Sequence, residues 1–503
     1  MSFLIAASAA QFTWWLDGSI IGVYLLVTIL AGLSVRRYVG KVEHFLVAGR
    51  EMNVYLGVAS LAASEFGVIT CMYAAQGGYQ LGFSGAVPGV IQAIAMLVIG
   101  VTGFCIVPLR QSGVMTIPEL LETRFGPRVR WAAGLVILLG GLLNMGVFLR
   151  VGGEFLIYVC SLNPNWLELT MTALLLIVAV YTICGGMLSV LVTDFLQFVV
   201  MSLGLLVVSF LILYQIGWQT LVTTVREQLG PGGFNPLANP KLGWSWLCFQ
   251  ILVNTAATLT WQTNIARILA AKDARTGQRI YTQTSFFFAC RFLIPALWGI
   301  AALAYLPLAD RPADSLHAMP VFLSQIIPTG ILGLLIAAML AADMSTDSSY
   351  MLTWGSIIYN DLLAPFRRQT WSDRAGLLCN RIIIALIGIF LLGYGLWYKF
   401  PGDVWSYLAV TGSIYLSSIS VLLIACCYWR GANDWGAFAA IGAGCIFPTA
   451  YLVLEKIPVT KELATAIGPN WSGIAAFVAA AVAMYFGSIY KPTTNQNAVT
   501  SNL

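Results

Sequence analysis

Thirteen apolar stretches follow one another along the chain, near 16–36, 54–79, 84–109, 131–160, 166–184, 190–215, 244–266, 284–306, 329–355, 376–398, 403–427, 433–454 and 470–489. A helix needs about 20 such residues to cross hydrocarbon, and in lipid its backbone groups must bond within the segment. The chain is therefore expected to be an all-α polytopic membrane protein with about 13 transmembrane helices. No ten-residue alternation of apolar and polar residues occurs, so an outer-membrane barrel does not fit.

Charge supports the same class. Only 9% of the 503 residues are charged, against roughly a quarter in a soluble domain. That deficit excludes a nucleic-acid surface, long disordered tails and a two-domain cytosolic enzyme. The net charge of +5 reads as topology, since Lys and Arg are retained on the cytoplasmic side. With the N-terminus outside, 18 basic residues fall in inner segments and 6 in outer ones. The expected orientation is N-terminus outside and C-terminus cytoplasmic, in a plasma or bacterial inner membrane. The opening MSFLIAASAAQF has an Ala-rich, cleavage-like run without a basic start, and is expected to be retained.

Setting the first span aside, the starts at 54, 84, 131, 166 and 190 recur at 244, 284, 329, 376 and 403. Five is odd, so the second set enters from the opposite face, which suggests an inverted repeat with a solute site at mid-membrane. The expected organisation is an extra helix and cytoplasmic loop over 1–53, a first repeat over 54–215, an extracellular loop over 216–243, a second repeat over 244–427, two further helices over 428–490 and a cytoplasmic tail over 491–503. The first helix of each set carries what a broken helix needs: small residues, Glu65 and Gly67 between Ala59 and Gly67, and seven polar side chains between Asn254 and Asn264. Unwound backbone there would offer carbonyls to a cation, while the same small residues also serve helix packing.

Hydroxyls cluster in the ninth span. At 100° per residue from Ala342, Ser345 lies at 300°, Thr346 at 40° and Ser349 at 340°, so three hydroxyls share one face. Hard oxygen ligands suit a small alkali cation, and the competing reading is hydroxyls bonded back to carbonyls a turn earlier. Within the membrane, Glu65, Glu154, Asp194, Asp343 and Asp347 outnumber Arg150 and Arg291, an imbalance that bound cations or protons would offset. Equal depths suggest the pairs Arg150 with Asp343 and Arg291 with Asp347. Rivals for Arg150 are Glu154, at i, i+4, and a substrate carboxylate. Ten Cys without a CxxC read as small buried hydrophobes, and two His leave little for a metal or catalytic site. Trp14, Trp15, Trp244 and Trp246 read as interfacial anchors.

The run Gly185-Gly186-Met187-Leu188-Ser189-Val190-Leu191-Val192-Thr193-Asp194-Phe195-Leu196-Gln197 resembles the GG-x-x-x-V-x-x-T-D-x-x-Q signature of the sodium:solute symporter family, and Ala341-Ala342-Asp343-Met344-Ser345-Thr346-Asp347-Ser348-Ser349 is similar to its sodium-binding helix. The similarity extends from Ala48-Gly49-Arg50 through Arg267-Ile268-Leu269-Ala270-Ala271-Lys272-Asp273 to about residue 430. It implies a LeuT-type inverted repeat of two five-helix units. It also implies a secondary active symporter, not an enzyme, that drives uptake of a small polar organic solute with inward sodium movement. The main sodium would be held by Ala63, Phe66, Ala342, Ser345 and Thr346, and a second by Asp194 and Ser345 with Ser348 and Ser349. The implied solute contacts are Gly67, Thr70, Asn144, Asn254 and Trp261. Thr70 stands where the family's sugar transporters have Gln, and no matching Glu follows near 88–89, which argues against a hexose. Sodium is the coupling ion, with no other cofactor. The expected partners are solute, sodium and lipid bilayer, without nucleic acid or an obligatory protein. The alternatives are proton coupling through Glu65 or Asp194, and a non-transporting membrane sensor or channel.

Overall fold

The computed structural model describes residues 12–38, 40–363, 366, 371–398 and 403–490. The retained-start reading at 1–11, the 491–503 tail, and the side chains of Arg36, Arg367, Arg368, Lys399 and Lys491 lie outside these. Ten helices are long and apolar enough to cross a membrane, so the chain is an all-α polytopic membrane protein.

The first of them, α1 (Asp17–Ser34), is followed by the short α2 (Val42–Val47) and by a helix interrupted at Phe66 and Gly67, α3 (Val54–Glu65) and α4 (Val68–Leu81). Next come α5 (Val87–Thr102), two short helices, α6 (Ile106–Gln111) and α7 (Ile117–Phe125), then α8 (Pro127–Met145) and α9 (Phe148–Val159). The longest, α10 (Leu167–Ile216), has 50 residues and one non-helical point, Gly186, at φ 54° and ψ −147°. The spans expected at 166–184 and 190–215 thus meet at a single reversed residue. A Cβ there would lie 2.5 Å from Phe45 Cδ2 and 2.6 Å from the Phe45 carbonyl oxygen, so both conformation and space demand glycine.

After α11 (Trp218–Leu229), a second interrupted helix follows, α12 (Gly243–Thr260) and α13 (Gln262–Ala270), broken at Trp261 alone. The polar run from Asn254 to Asn264 is otherwise helical, because its hydroxyls bond back to carbonyls four residues earlier: Thr258 to Asn254 at 2.9 Å and Thr260 to Ala256 at 2.8 Å. The remainder is α14 (Ala274–Tyr305), α15 (Ala318–Ile326), α16 (Ile331–Ile357), α17 (Asp373–Trp397), α18 (Val404–Tyr428), α19 (Asp434–Lys456) and α20 (Lys461–Tyr490).

Small residues bring these helices together, as expected where lipid offers no competing hydrophobic drive. A Cβ on Gly78 would fall 2.1 Å from the Ala296 carbonyl oxygen, and one on Gly299 1.9 Å from that of Ala75, so α4 and α14 touch backbone to backbone. Helix α16 is at the centre, buried along nearly its whole length. Its start is held from outside the helix: Asp17 Oδ1 accepts from the Gly330 and Gly333 amides at 2.7 and 2.8 Å. At one end of the bundle, basic side chains close helix C-termini. Arg124 donates to the Cys426 carbonyl at 2.7 Å and Arg110 to that of Ala271 at 2.6 Å, beside a short parallel bridge between Met52 and Ala271.

Two expectations fail here. Trp246 is 7% exposed and packed inside, whereas Trp14, Trp15 and Trp244 are 68, 88 and 69% exposed, as interfacial anchors would be. Both expected arginine pairs are replaced by others. Arg150 meets Glu154 at 2.9 Å, the local i, i+4 alternative, which needs no ordering of a second helix. Arg291 meets Glu65 at 3.1 Å across two helices, because the break after Glu65 turns that carboxylate toward α14.

Candidate functional site

The breaks in the two interrupted helices face α16. Phe66, at φ −104° and ψ 61°, ends α3, and Gly67 starts α4 against Thr346: a Cβ on Gly67 would lie 2.7 Å from Thr346 Oγ1. Thr346 donates to the Ser64 carbonyl at 3.0 Å. Ser345 donates to Asp194 Oδ1 at 2.6 Å, and both hydroxyls keep lone pairs. The structure therefore brings the end of α3 against Ser345 and Thr346, in a region where both residues are buried.

Asp194, 0% exposed, is the hub of the adjoining network. Its Oδ2 accepts from Ser60 at 2.5 Å and from Arg267 at 3.1 Å. Arg267 also donates to Ser349 at 2.5 Å and to Ser60 at 3.1 Å. Ser348 donates back to the Ser345 carbonyl at 3.2 Å. Arg267 is one of the 18 basic residues counted in the inner segments. It is 0% exposed, so the buried charge count gains a third arginine and the imbalance of acids shrinks. The side chain of Gln197 is also 0% exposed, beside the Tyr24 and Tyr181 hydroxyls. Asp343 and Asp347 are buried on another side of α16 and take part in no ion pair among the described residues. Glu65 and Asp194, the acids through which proton coupling would run, are each held by an arginine.

Beside the break lies a cavity, with about 620 Å³ of empty space when the open solvent at its mouth is included. Of the expected solute contacts, Thr70, Asn144, Asn254 and Trp261 line it, while Gly67 sits in the break above Thr346. Thr70 is turned back onto the Glu65 carbonyl at 3.3 Å. Sequence reasoning missed Gln92, Tyr73, Phe148, Tyr350 and Trp405, which also line the cavity. No local signal marks the aromatics among so many others. Gln92 lies one turn beyond the point near 88–89 where an acid was sought, and a search by helical turn instead of fixed position would have found it.

A set of carbonyls and hydroxyls at a broken helix, next to a cavity with a few polar groups in an apolar lining, is the arrangement of an ion-coupled carrier. The model of the sodium:solute symporter family matches residues 45–444. The chain belongs to the sodium:solute symporter family. It is a sodium-coupled secondary active symporter of a small polar solute, working by alternating access, and not an enzyme. Among curated proteins it is 26% identical over 489 residues to sodium/glucose cotransporter 4 of Danio rerio, covering 88% of this chain and 72% of that one. It is 25% identical over 479 residues to a sodium/mannose cotransporter of Bos taurus, covering 87% and 79%. It is also 24% identical over 480 residues to sodium/myo-inositol cotransporter 2 of Mus musculus, covering 88% and 70%. Its fold is shared with a solved sodium-coupled sialic acid symporter at TM-score 0.80 and 17% identity, over 95% of this chain and 98% of that one.

Proposed function

We propose that the coupling sodium binds between the end of α3 and α16, held by the carbonyls of Ala63, Phe66 and Ala342 and the hydroxyls of Ser345 and Thr346. The observation that carries this reading is the break at Phe66 and Gly67 lying directly against Thr346. Five neutral hard oxygens at a helix end suit a dehydrated alkali cation. The solute occupies the adjoining cavity and touches Gly67, Thr70, Asn144, Asn254 and Trp261. Thr346 lines that cavity as well, so ion and solute share a wall. Sodium bound there would order the surface the solute needs, which is the coupling.

A second sodium would use Asp194, Ser345, Ser348 and Ser349. Gln197, buried on the helix that carries Asp194, adds a polar side chain to that region. Arg267 holds Asp194 and Ser349, so the ion would share its carboxylate with a guanidinium.

The architecture that fits this chemistry has thirteen crossings in an inverted five-plus-five repeat. The 50 residues of α10 would reach about 75 Å if straight, against about 30 Å of hydrocarbon, so Gly186 parts two crossings. The interrupted helix over 54–81 and the one over 243–270 each add one to the ten long apolar helices. The divisions at 53, 215, 243, 427 and 490 follow, with the N-terminus outside and the C-terminus cytoplasmic.

Uptake into proteoliposomes tests the ion sites. Ser345→Ala or Thr346→Ala is expected to raise the sodium concentration for half-maximal uptake by roughly tenfold, the cost of one lost ligand. Unchanged sodium activation in both variants would remove the main site. Asp194→Asn is expected to lower the Hill coefficient for sodium. Normal stoichiometry in surviving protein assigns Asp194 a purely structural role.

A further inference from the structure

The cavity has two charged residues in its wall, Glu65 and Arg291, and they are spent on each other. Arg291 Nη1 lies 3.1 Å from Glu65 Oε2, and its Nη2 donates to the Tyr73 hydroxyl at 3.1 Å. The guanidinium sits between two rings, 5.0 Å from the centroid of Phe288 and 5.4 Å from that of Phe292. The other oxygen of Glu65 accepts from Thr263. The pair is therefore anchored on four sides and carries no net charge.

The remaining polar atoms have one character. Asn144 Nδ2 donates to the Leu408 carbonyl at 2.9 Å, and Asn254 Nδ2 to the Gln250 carbonyl at 2.8 Å. A carbonyl only accepts, so both amide orientations are set and each Oδ1 is left without a protein partner. The indole donors are used inside the protein, Trp261 on Tyr350 at 2.8 Å and Trp405 on Gln250 at 3.2 Å. Gln92, 4% exposed, has a buried Oε1 without a partner. The cavity thus presents free acceptors between aromatic faces, while its asparagine and indole donors are occupied.

We propose that the Glu65–Arg291 pair is a charge filter: it makes the cavity select an uncharged solute whose polar groups are mainly hydroxyl donors, and reject carboxylates. This rests on the cavity being the solute site. A carboxylate would find its one guanidinium taken, and drawing Arg291 away would strand Glu65 as a buried unpaired charge. An uncharged polyol meets free acceptors and flat apolar faces without disturbing the pair. Glu65 and Arg291 are specificity-determining here, the carboxylate by occupying the guanidinium.

The test is a thermal-shift series on the purified full chain, in sodium and in potassium. Hexoses, hexitols and cyclitols are compared with uronates and aldonates of the same carbon number. Uncharged compounds are expected to raise the melting midpoint in sodium only, with the acids needing roughly tenfold or more higher concentration. Glu65→Gln frees the guanidinium and is expected to shift the preference toward the acids by about tenfold or more. The double variant Glu65→Gln/Arg291→Gln, neutral again and free of a stranded charge, is expected to keep the uncharged preference even where the single variant fails to fold. Preference for the acids in the wild type, or in the double variant, overturns the filter and leaves sodium coupling intact. An unchanged ratio in a folded Glu65→Gln does the same. Absence of any sodium-dependent shift across the panel overturns both the filter and the solute site.

Discussion

Arg267 shows how much a single side chain decides in this fold. It ties α13 to Asp194 on α10, to Ser60 on α3 and to Ser349 on α16, all without access to solvent. Breaking a buried pair by removing one member leaves the other uncompensated, at about 3–5 kcal/mol. Arg267→Gln is therefore expected to lower the melting midpoint sharply, and Asp194→Asn in the same chain to restore much of the loss. A double-mutant cycle on melting in detergent checks this, and additive single effects would show that the two do not interact. The sequence placed Asp194 inside a helix and named Ser345, which bonds it, but not Ser60, which does so too. It misjudged Arg267, because a basic residue near a span end looks like a loop residue until the partner on another helix is known.

At the scale of elements, glycine stands at two of the interruptions, Gly67 and Gly186, and Trp261 at the third. Gly186→Ala would put a Cβ into the Phe45 backbone at a φ of 54° and a ψ of −147°. Expression and melting of that variant are expected to fall by an amount typical of strained backbone plus overlap, about 2 kcal/mol or more. Asp17 acts at the other end of the site helix by accepting two amides from the start of α16. Asp17→Ala leaves those buried donors unpaired, at about 1–3 kcal/mol, and is expected to weaken sodium activation slightly as α16 loses its fixed start. Wild-type melting with wild-type sodium response would show that the cap is dispensable. The break in α3 was legible as a cluster of small residues around an acid and a glycine. The break in α12 was legible only as a region of eleven residues, since the choice of Trp261 depends on which hydroxyls back-bond and which face neighbours.

Across the whole molecule, polar contacts join segments far apart in the sequence. Glu154 on α9 holds Arg150 at 2.9 Å and His317, just before α15, at 3.1 Å, and Arg150 reaches the Gly395 carbonyl on α17 at 3.2 Å. Sodium binding to one conformation of such a protein stabilises it by mass action, about 2.7 kcal/mol at a concentration one hundred times the dissociation constant. The melting midpoint is expected to rise with sodium and not with potassium. A midpoint indifferent to sodium would remove the ion site from the native state. Orientation is checked by impermeant thiol labelling of Lys241→Cys and Arg275→Cys in a Cys248→Ser background, since Cys248 is the native cysteine classed as exposed. Labelling from outside is expected at 241 and not at 275, and the reverse would invert the topology.

Class, helix positions and the hydroxyl face of α16 were determined by sequence, because each depends on local properties: apolar length, the 100° helical step and the run of residue types near one another. The polar side chains at Ser345, Thr346 and Asn254 stood out for the same reason, being costly in lipid unless they do something, whereas Asn144 was marked only by the family resemblance. Pairing was decided by tertiary structure. Arg291 found Glu65, 226 residues away, and Arg267 found Asp194, 73 residues away, while the cavity drew Gln92 and Tyr350 into one wall. No periodicity within a helix encodes which neighbour it meets. The strength of a buried charge pair depends on distance and on shared desolvation, and both exist only once the helices have packed.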